Sequence, residues 1–160
     1  MAELRQMMSE LGFGDPKTLL QTGNLIFESE GKTPAEMEAF LKAETDRRLN
    51  VSTEYFVRNC PELEKIIANN PYPGEAIDDP SHLVVLFASG ATTPEREQAL
   101  REVIKGRETF VCDGNNFYFM YPDNIGDSKL TIKIIERHLG VNVTGRNWNT
   151  ILKLDALTKS

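Results

Sequence analysis

Residues 144–152 read Thr144-Gly145-Arg146-Asn147-Trp148-Asn149-Thr150-Ile151-Leu152. The stretch predicts the start of a helix, because the short side chain of Asn147 can accept a hydrogen bond from a free backbone N–H of the first turn. Trp148, Ile151 and Leu152 then recur at i, i+3 and i+4, which places them on one helical face. We therefore expect Trp148, the single tryptophan, to be buried and to hold this last helix on the second of two sheets.

Arg146 lies directly before this helix. The first turn of a helix offers unpaired N–H groups and the positive end of the helix dipole, and both favour a bound anion. The stretch therefore predicts an anion site formed by Arg146, Asn147 and Asn149. A purely structural interpretation competes with it, in which Trp148 is a core anchor and Arg146 pairs with a carboxylate.

A second candidate for the anion site is Gly126-Asp127-Ser128-Lys129-Leu130. A glycine-containing loop that leads to a helix, with Ser128 as the cap and Lys129 in the first turn, can cradle a phosphate. Asp127 would oppose an anion, and a capped helix accounts for Ser128 without any ligand. Since Lys129 and Arg146 each stand at or beside a predicted helix start, we expect them to face one cleft.

The composition of the 160 residues is typical of a globular protein, with 40% hydrophobic and 26% charged residues. No apolar run approaches the ~18 residues that cross a membrane, and no signal-peptide pattern is found. Cys60 and Cys112 form no CxxC motif. They are predicted to be reduced thiols of a cytoplasmic protein, with a disulfide as the alternative.

Charge is unevenly distributed. From Lys129 onward six basic residues stand against two acidic ones, a local net charge of +4, and since the whole chain carries −6 the first 128 residues carry −10. An acidic body argues against a general nucleic-acid binder, which needs a basic face to displace counterions. The basic end leaves open a small anionic ligand, or an acidic patch on another protein or on the body itself.

The first half predicts helices over 2–12, 33–49 and from Asn59 onward, and strands over 17–21, 25–29 and 52–58. Thr33 is the predicted N-cap of the second helix, with Pro34 at its first position and Glu36 in capping-box register. A hairpin turn is predicted around Gly23. Residues 70–81 are dense in proline and glycine and are predicted to link the two halves.

The second half predicts strands over 82–88, 107–112, 116–121 and 141–144, and helices that begin at Thr93, Ser128 and Asn147. The first of these strands is a nearly continuous apolar run, which is typical of a strand buried on both faces. A hairpin turn is predicted at Gly114, and Gly140 is the predicted end of the second helix.

This order of elements predicts an α+β fold of two ferredoxin-like subdomains, residues 1–78 and 79–160, each an antiparallel sheet with both helices on one face. The first half matches the second only if one strand is placed before its initial helix. Because that strand is central in the fold, its absence would expose the edges of strands 25–29 and 52–58. We expect residues upstream of Met1, another chain or a rearranged pairing to fill the slot. Self-association through the exposed edge of the first sheet is therefore predicted.

No constellation for acid–base, nucleophilic or metal chemistry is found. The chain has no P-loop, no GxSxG and no HExxH motif, and His82 and His138 lack metal-ligand spacing. No catalytic residue and no cofactor is predicted.

Three functional hypotheses follow. The first is a non-catalytic binding or interaction module. The second is an enzyme or sensor for a small phosphorylated or carboxylated molecule, which would use Lys129, Arg146 and Asn147. The third is nucleic-acid binding through a ferredoxin-like sheet, with Phe117, Phe119 and Tyr121 as stacking residues, although packing of these rings under the helices is the plainer interpretation.

Four segments together resemble the family called domain of unknown function 1697. They are Gln21-Thr22-Gly23-Asn24, Asn70-Pro71-Tyr72-Pro73, Ser128-Lys129-Leu130 and Thr144-Gly145-Arg146-Asn147-Trp148-Asn149-Thr150. The resemblance runs over nearly the whole chain, and its last segment is the most specific. It implies two small α+β subdomains, a bacterial cytoplasmic origin and no proven activity. The resemblance also implies a strand and a glycine-rich loop before the first helix. Residues 1–5 of this chain already resemble the start of that first helix.

Overall fold

The computed structural model describes residues 2–11, 17–19, 24–26, 33–50, 53–123, 125–126 and 128–158. Within them the chain is an α+β protein. Its helices are α1 (Ala2–Glu10), α2 (Pro34–Leu49), α3 (Cys60–Ala68), α4 (Pro73–Asp78), α5 (Pro94–Val103), α6 (Ile132–Leu139) and α7 (Trp148–Thr158). Its strands are β1 (Lys17–Leu19), β2 (Asn24–Ile26), β3 (Leu83–Ala88), β4 (Thr109–Asp113), β5 (Asn116–Met120) and β6 (Val143–Asn147).

Backbone contacts divide the chain into two compact units, residues 1–62 with 154–160 and residues 63–153. Compact units need not coincide with independently folding domains, so the division of the chain near residue 78 stays a prediction. Among the described residues, none of the helices has the length and apolar character that a membrane crossing requires.

In the first unit, α1 and α2 contribute a buried core of Met7, Met8, Met37 and Leu41. Thr33 caps α2 as predicted. Its side chain accepts a hydrogen bond from the Glu36 N–H at 3.2 Å, and Glu36 Oε1 accepts from the Thr33 N–H at 3.4 Å. This capping box satisfies two backbone donors near the start of the helix.

The strands of the first unit differ from the prediction. β1 and β2 pair antiparallel, but residues 53–58 form no strand. Tyr55 and Val57 pack against the unit's core instead, and the Tyr55 hydroxyl lies 2.5 Å from Thr45 Oγ1 on α2. Side-chain contacts with α2 thus take the place of backbone pairing, and the first predicted ferredoxin-like sheet is not confirmed. The predicted turn around Gly23, with Ser52, lies outside the described residues.

The second unit contains a four-stranded antiparallel sheet in the order β4-β5-β3-β6. All six residues of the central strand β3 are buried, as its apolar run predicts. β4 and β5 are joined at Gly114, whose φ of +60° is the left-handed conformation that glycine adopts without a Cβ clash.

The two faces of this sheet are distinct, because successive residues of a strand point to opposite sides. One face packs against α5 and α6, and its core includes Val84, Leu86, Leu100, Phe110, Phe117, Phe119, Tyr121, Leu130, Ile135 and Leu139. Cross-strand partners share a face. Arg146 is paired with Val85, and Thr144 with Phe87, so both lie on the opposite face.

α6 begins later than predicted. Its N-cap is Thr131, whose side chain accepts from the Ile134 N–H at 3.4 Å, so Ser128 is not the cap. Leu130 is buried, and its carbonyl accepts the hydroxyl of Tyr121 at 3.2 Å. These tertiary contacts hold the loop in place, and the helix starts only after Thr131.

α7 begins where predicted. The side chain of Asn147 accepts a hydrogen bond at 3.0 Å from the N–H of the third helical residue. Trp148 is only 4% exposed and Ile151 is fully buried, which confirms the predicted burial of Trp148. Leu152 is 42% exposed, contrary to the prediction, and Leu154 is buried in its place. The buried positions of α7 are therefore Trp148, Thr150, Ile151 and Leu154.

Residues 70–82 are more ordered than a linker, since they contain α4 and a short 3₁₀ turn. Asn70 Oδ1 accepts from the Tyr72 N–H at 2.9 Å, and the Tyr72 hydroxyl donates to Thr109 Oγ1 on β4 at 2.9 Å. The segment is therefore attached to the sheet of its own unit.

Candidate functional site

The second unit has a cleft of about 600 Å³ beside the C-terminal end of α5. Its aliphatic lining consists of Val103, Ile104, Leu130 and Ile134. Val103 is 41% exposed and lines this cleft. The volume falls within the ~300–1,000 Å³ of typical small-molecule sites.

Three cationic side chains also line the cleft. Lys105 lies between α5 and β4, Lys129 lies in the loop before α6, and Arg137 lies on α6. In the part of the chain that the structure describes, none of the three forms an ion pair. Asp123 lines the cleft too, but its carboxylate binds the guanidinium of Arg107, with Nε at 3.2 Å. The lining therefore carries an excess of positive charge.

Glu108 is the half-buried carboxylate of the cleft. Its Oε1 accepts a hydrogen bond from Ser128 Oγ at 2.6 Å, and Ser128 Oγ accepts from the Leu130 N–H at 3.0 Å. Its Oε2 is shielded from solvent and has no hydrogen-bond partner among the described residues. Gly106 provides the room for this oxygen, since a Cβ at that position would lie 2.4 Å from Oε2.

Tyr121 lies behind this carboxylate. Burial, with a smaller contribution from the charge of Glu108, raises the pKa of the Tyr121 hydroxyl to about 12. The hydroxyl therefore remains a donor at neutral pH and keeps its bond to the Leu130 carbonyl. That bond holds in place the loop on which Ser128 and Lys129 lie.

His138 also lines the cleft. Its Nδ1 lies 2.9 Å from the carbonyl oxygen of Ile134. Because a carbonyl oxygen only accepts, Nδ1 carries the hydrogen, and the neutral ring keeps Nε2 as an acceptor.

The structure does not bring all the predicted site residues together. Ser128 and Lys129 line the cleft, on the α5–α6 side of the sheet, whereas Arg146 lies on the opposite face. The prediction that Lys129 and Arg146 share one cleft is therefore wrong. Arg146 Nη1 donates to Thr144 Oγ1 at 2.9 Å and to the Gly145 carbonyl at 2.7 Å. Burial lowers the pKa of the Arg146 guanidinium.

Asn147 and Asn149 also lie outside the cleft lining. The side chain of Asn147 caps α7, and Asn149 is exposed in the first turn of that helix. Packing explains the glycine at position 145, because a Cβ there would lie 3.0 Å from Leu86 Cδ2. The structure thus gives Gly145, Asn147 and Trp148 roles in folding, and ligand binding by Asn147 and Asn149 stays a prediction.

The aromatic rings of β5 and its end are covered. Phe117, Phe119 and Tyr121 are buried in the core under α5 and α6. This confirms the packing interpretation and removes these rings as stacking surfaces for RNA bases.

Five charged or polar cleft residues were missed by sequence reasoning: Lys105, Glu108, Asp123, Arg137 and His138. The only local signal is the polar run Lys105-Gly106-Arg107-Glu108, which separates the apolar residues of α5 from those of β4. The residues on α6 carry no such signal, because a charged helix face is usually only solvated.

A family model described as "Protein of unknown function (DUF1697)" matches residues 1–118. The matched range contains residues 21–24 and 70–73, and the wall of the cleft formed by residues 103–108. It ends before Ser128 and before the stretch at 144–150.

Among solved structures, the chain is similar to the conserved bacterial protein SP0830 from Streptococcus pneumoniae. The TM-score is 0.64 at 20% sequence identity, and the alignment covers 99% of this chain and 88% of that one. At this identity the likeness shows the fold alone. We found no match among curated proteins.

Proposed function

The chain belongs to the DUF1697 family of proteins of unknown function, and we propose that it is a non-catalytic binding module for a small anionic molecule. The observation that carries this proposal is the cleft of the second unit, where Lys105, Lys129 and Arg137 lie around an aliphatic lining. Since none of these cations forms an ion pair with a described residue, their charge is available to a ligand.

The chemistry of the lining favours a phosphate or carboxylate group on a short carbon chain. Arg137 can bind two oxygens of such a group at once, while Lys105 and Lys129 act as point charges. The four aliphatic residues offer a surface for the carbon chain, and burial of that chain adds about 0.8 kcal/mol per CH₂ group.

Titration calorimetry with inorganic phosphate and propyl phosphate tests the proposal. We expect propyl phosphate to bind more tightly, because only it reaches the aliphatic lining. Replacing one cation of the cleft, Arg137→Gln or Lys129→Gln, should weaken binding of propyl phosphate by about tenfold, since a hydrogen bond to a charged group is worth about 1.5–3 kcal/mol.

Lys133→Gln is the matched control. Lys133 is an exposed cation on the same helix as Arg137, but it does not line the cleft. If Lys133→Gln weakens binding as much as Arg137→Gln does, the phosphate responds to general surface charge and the proposed site is wrong. Absence of binding by both probes would also contradict the proposal.

We also propose a ferredoxin-like arrangement for residues 79–160. The strand order β4-β5-β3-β6, the antiparallel pairing and the location of α5 and α6 on one face support it. In this arrangement α7 is an addition after the last strand. An experimental structure in which α5 and α6 cover opposite faces would contradict it.

A cytoplasmic location is proposed on the state of the cysteines. Cys60 and Cys112 are free thiols, which is the state that a reducing compartment maintains.

Burial, followed by the neighbouring carboxylate of Glu97, raises the pKa of the Cys112 thiol to about 12. This thiol is therefore a poor nucleophile at neutral pH.

A further inference from the structure

The cleft contains an acceptor that the described chain does not satisfy. Glu108 Oε2 is shielded from solvent and accepts no hydrogen bond from a described residue, while Oε1 accepts from Ser128. A shielded carboxylate oxygen without a donor is unfavourable by more than an ordinary hydrogen bond is worth. Glu108 lines the cleft, so a donor that binds there lies beside this carboxylate.

A second acceptor lies in the same lining. The Nδ1 of His138 donates to the Ile134 carbonyl, so Nε2 of the neutral ring can accept a hydrogen bond. The cleft thus combines three cations with two acceptors. An anion alone would satisfy the cations, but it would leave both acceptors unused and would be repelled by the carboxylate of Glu108.

We infer that the ligand is a small zwitterion, in which a phosphate or carboxylate binds the cations and a primary ammonium donates to Glu108. This inference rests on the proposed function and names its ligand class. An ammonium group is compact and has three donors, so it can donate to Glu108 and still bond to a second acceptor. The carbons between the two charged groups would lie on Val103 and Ile134.

Matched pairs of probes test the inference on the full chain. Titration calorimetry would compare propyl phosphate with 3-aminopropyl phosphate, and butyrate with 4-aminobutyrate. We expect the amino group to increase affinity about tenfold or more in the pair that carries the preferred anion. The pair that binds more tightly distinguishes an aminoalkyl phosphate from an amino acid.

Glu108→Gln isolates the carboxylate. The variant keeps the side-chain shape and the acceptor for Ser128 but removes the charge. We expect the advantage of the aminated probe to disappear, while propyl phosphate binds at least as well as to the unmodified chain. Lys129→Gln should weaken the binding of 3-aminopropyl phosphate and of propyl phosphate by the same factor. Glu108→Gln should instead remove only the difference in affinity between these two probes.

The outcomes separate the two claims. If propyl phosphate binds and the amino group adds nothing, the zwitterion inference is overturned and the proposed function stands. If no probe binds, the proposed function fails. If Glu108→Gln keeps the advantage of the aminated probe, the ammonium lies elsewhere and the role of Glu108 is wrong.

Gly106→Ala provides a second variant that leaves the carboxylate in place. Its new Cβ would lie 2.4 Å from Glu108 Oε2 and must displace that oxygen, so the advantage of the aminated probe should again be lost. Gly74→Ala is the control, because a Cβ there meets no atom within 4 Å. Circular dichroism confirms that each variant is folded before it is titrated, and an unchanged preference in folded Gly106→Ala would count against Glu108.

Discussion

Trp148 is the only tryptophan of the chain and is 4% exposed, so it both packs in the interior and reports on its surroundings. Trp148→Ala removes a large buried ring and leaves a cavity that the neighbours fill only in part. We expect the free energy of unfolding to fall by ~3–5 kcal/mol, a large share of the ~5–15 kcal/mol that stabilises a typical domain. Urea unfolding measures the loss.

Leu152→Ala is the matched control for Trp148→Ala. Leu152 lies on the same helix but is 42% exposed, so its truncation should change the stability far less. A tryptophan emission maximum typical of full exposure to water, or equal losses in the two variants, would contradict the anchor role.

At the scale of elements, Glu38 connects the irregular segment 53–59 to α2. Its Oε2 accepts from the Val57 N–H at 2.8 Å and lies 3.6 Å from Nη1 of Arg58, whose side chain is 3% exposed. Burial raises the pKa of the Glu38 carboxyl, and the Val57 hydrogen bond and the charge of Arg58 only partly offset this. The segment is therefore held by a carboxyl group that folding makes a weaker acid.

This shift predicts a pH dependence of stability. Because the pKa of Glu38 is higher in the folded than in the unfolded chain, its contribution is fully present below the unfolded pKa and is lost as pH rises through the folded pKa. In Glu38→Gln that loss is absent. The stability of the variant minus that of the unmodified chain should therefore increase as pH rises from about 4 to 7, as measured by urea unfolding across the range.

The difference in stability between the variant and the unmodified chain excludes the contributions of other titrating groups. The lowered pKa values of the carboxyls of Glu44 and Asp123 act in both chains and cancel in the difference. Glu95→Gln is the control, since Glu95 is exposed and forms no ion pair with a described residue. A flat difference for Glu38→Gln, or an equal slope for Glu95→Gln, would show that Glu38 is not the responsible group.

At the scale of the whole molecule, the sheet of the first unit predicts self-association. β1 and β2 pair with each other, and among the described residues each has one edge without a strand partner. Exposed edges pair with strands of other chains. We expect sedimentation velocity to detect a dimer at high protein concentration, with slowed amide exchange at residues 17–19 and 24–26. A monomer at all concentrations would contradict the prediction, and slowed exchange at 109–113 instead would move the contact to β4.

Sequence alone determined the local features of this protein. The capping box of Thr33 and Glu36, the Asn147 cap, the Gly114 turn and the end of α6 at Gly140 are confirmed as predicted. In each of them the interacting atoms lie within about four residues along the chain, or a single positive φ requires glycine. The continuous apolar run of β3 also predicted the burial of this strand. The run lies within the strand itself, so it can be read without knowing which elements pack against it.

Only the tertiary structure decided which residues form a site. Arg146 faces away from α5 and α6 because β6 pairs with β3 in a register that places it opposite Val85, and a shift by one residue would have reversed its face. The start of α6 moved past Ser128 because Leu130 is buried and bonded to Tyr121. The cleft joins Lys105 and Glu108 to residues more than twenty positions away, and such proximity comes from packing, which no spacing along the chain encodes.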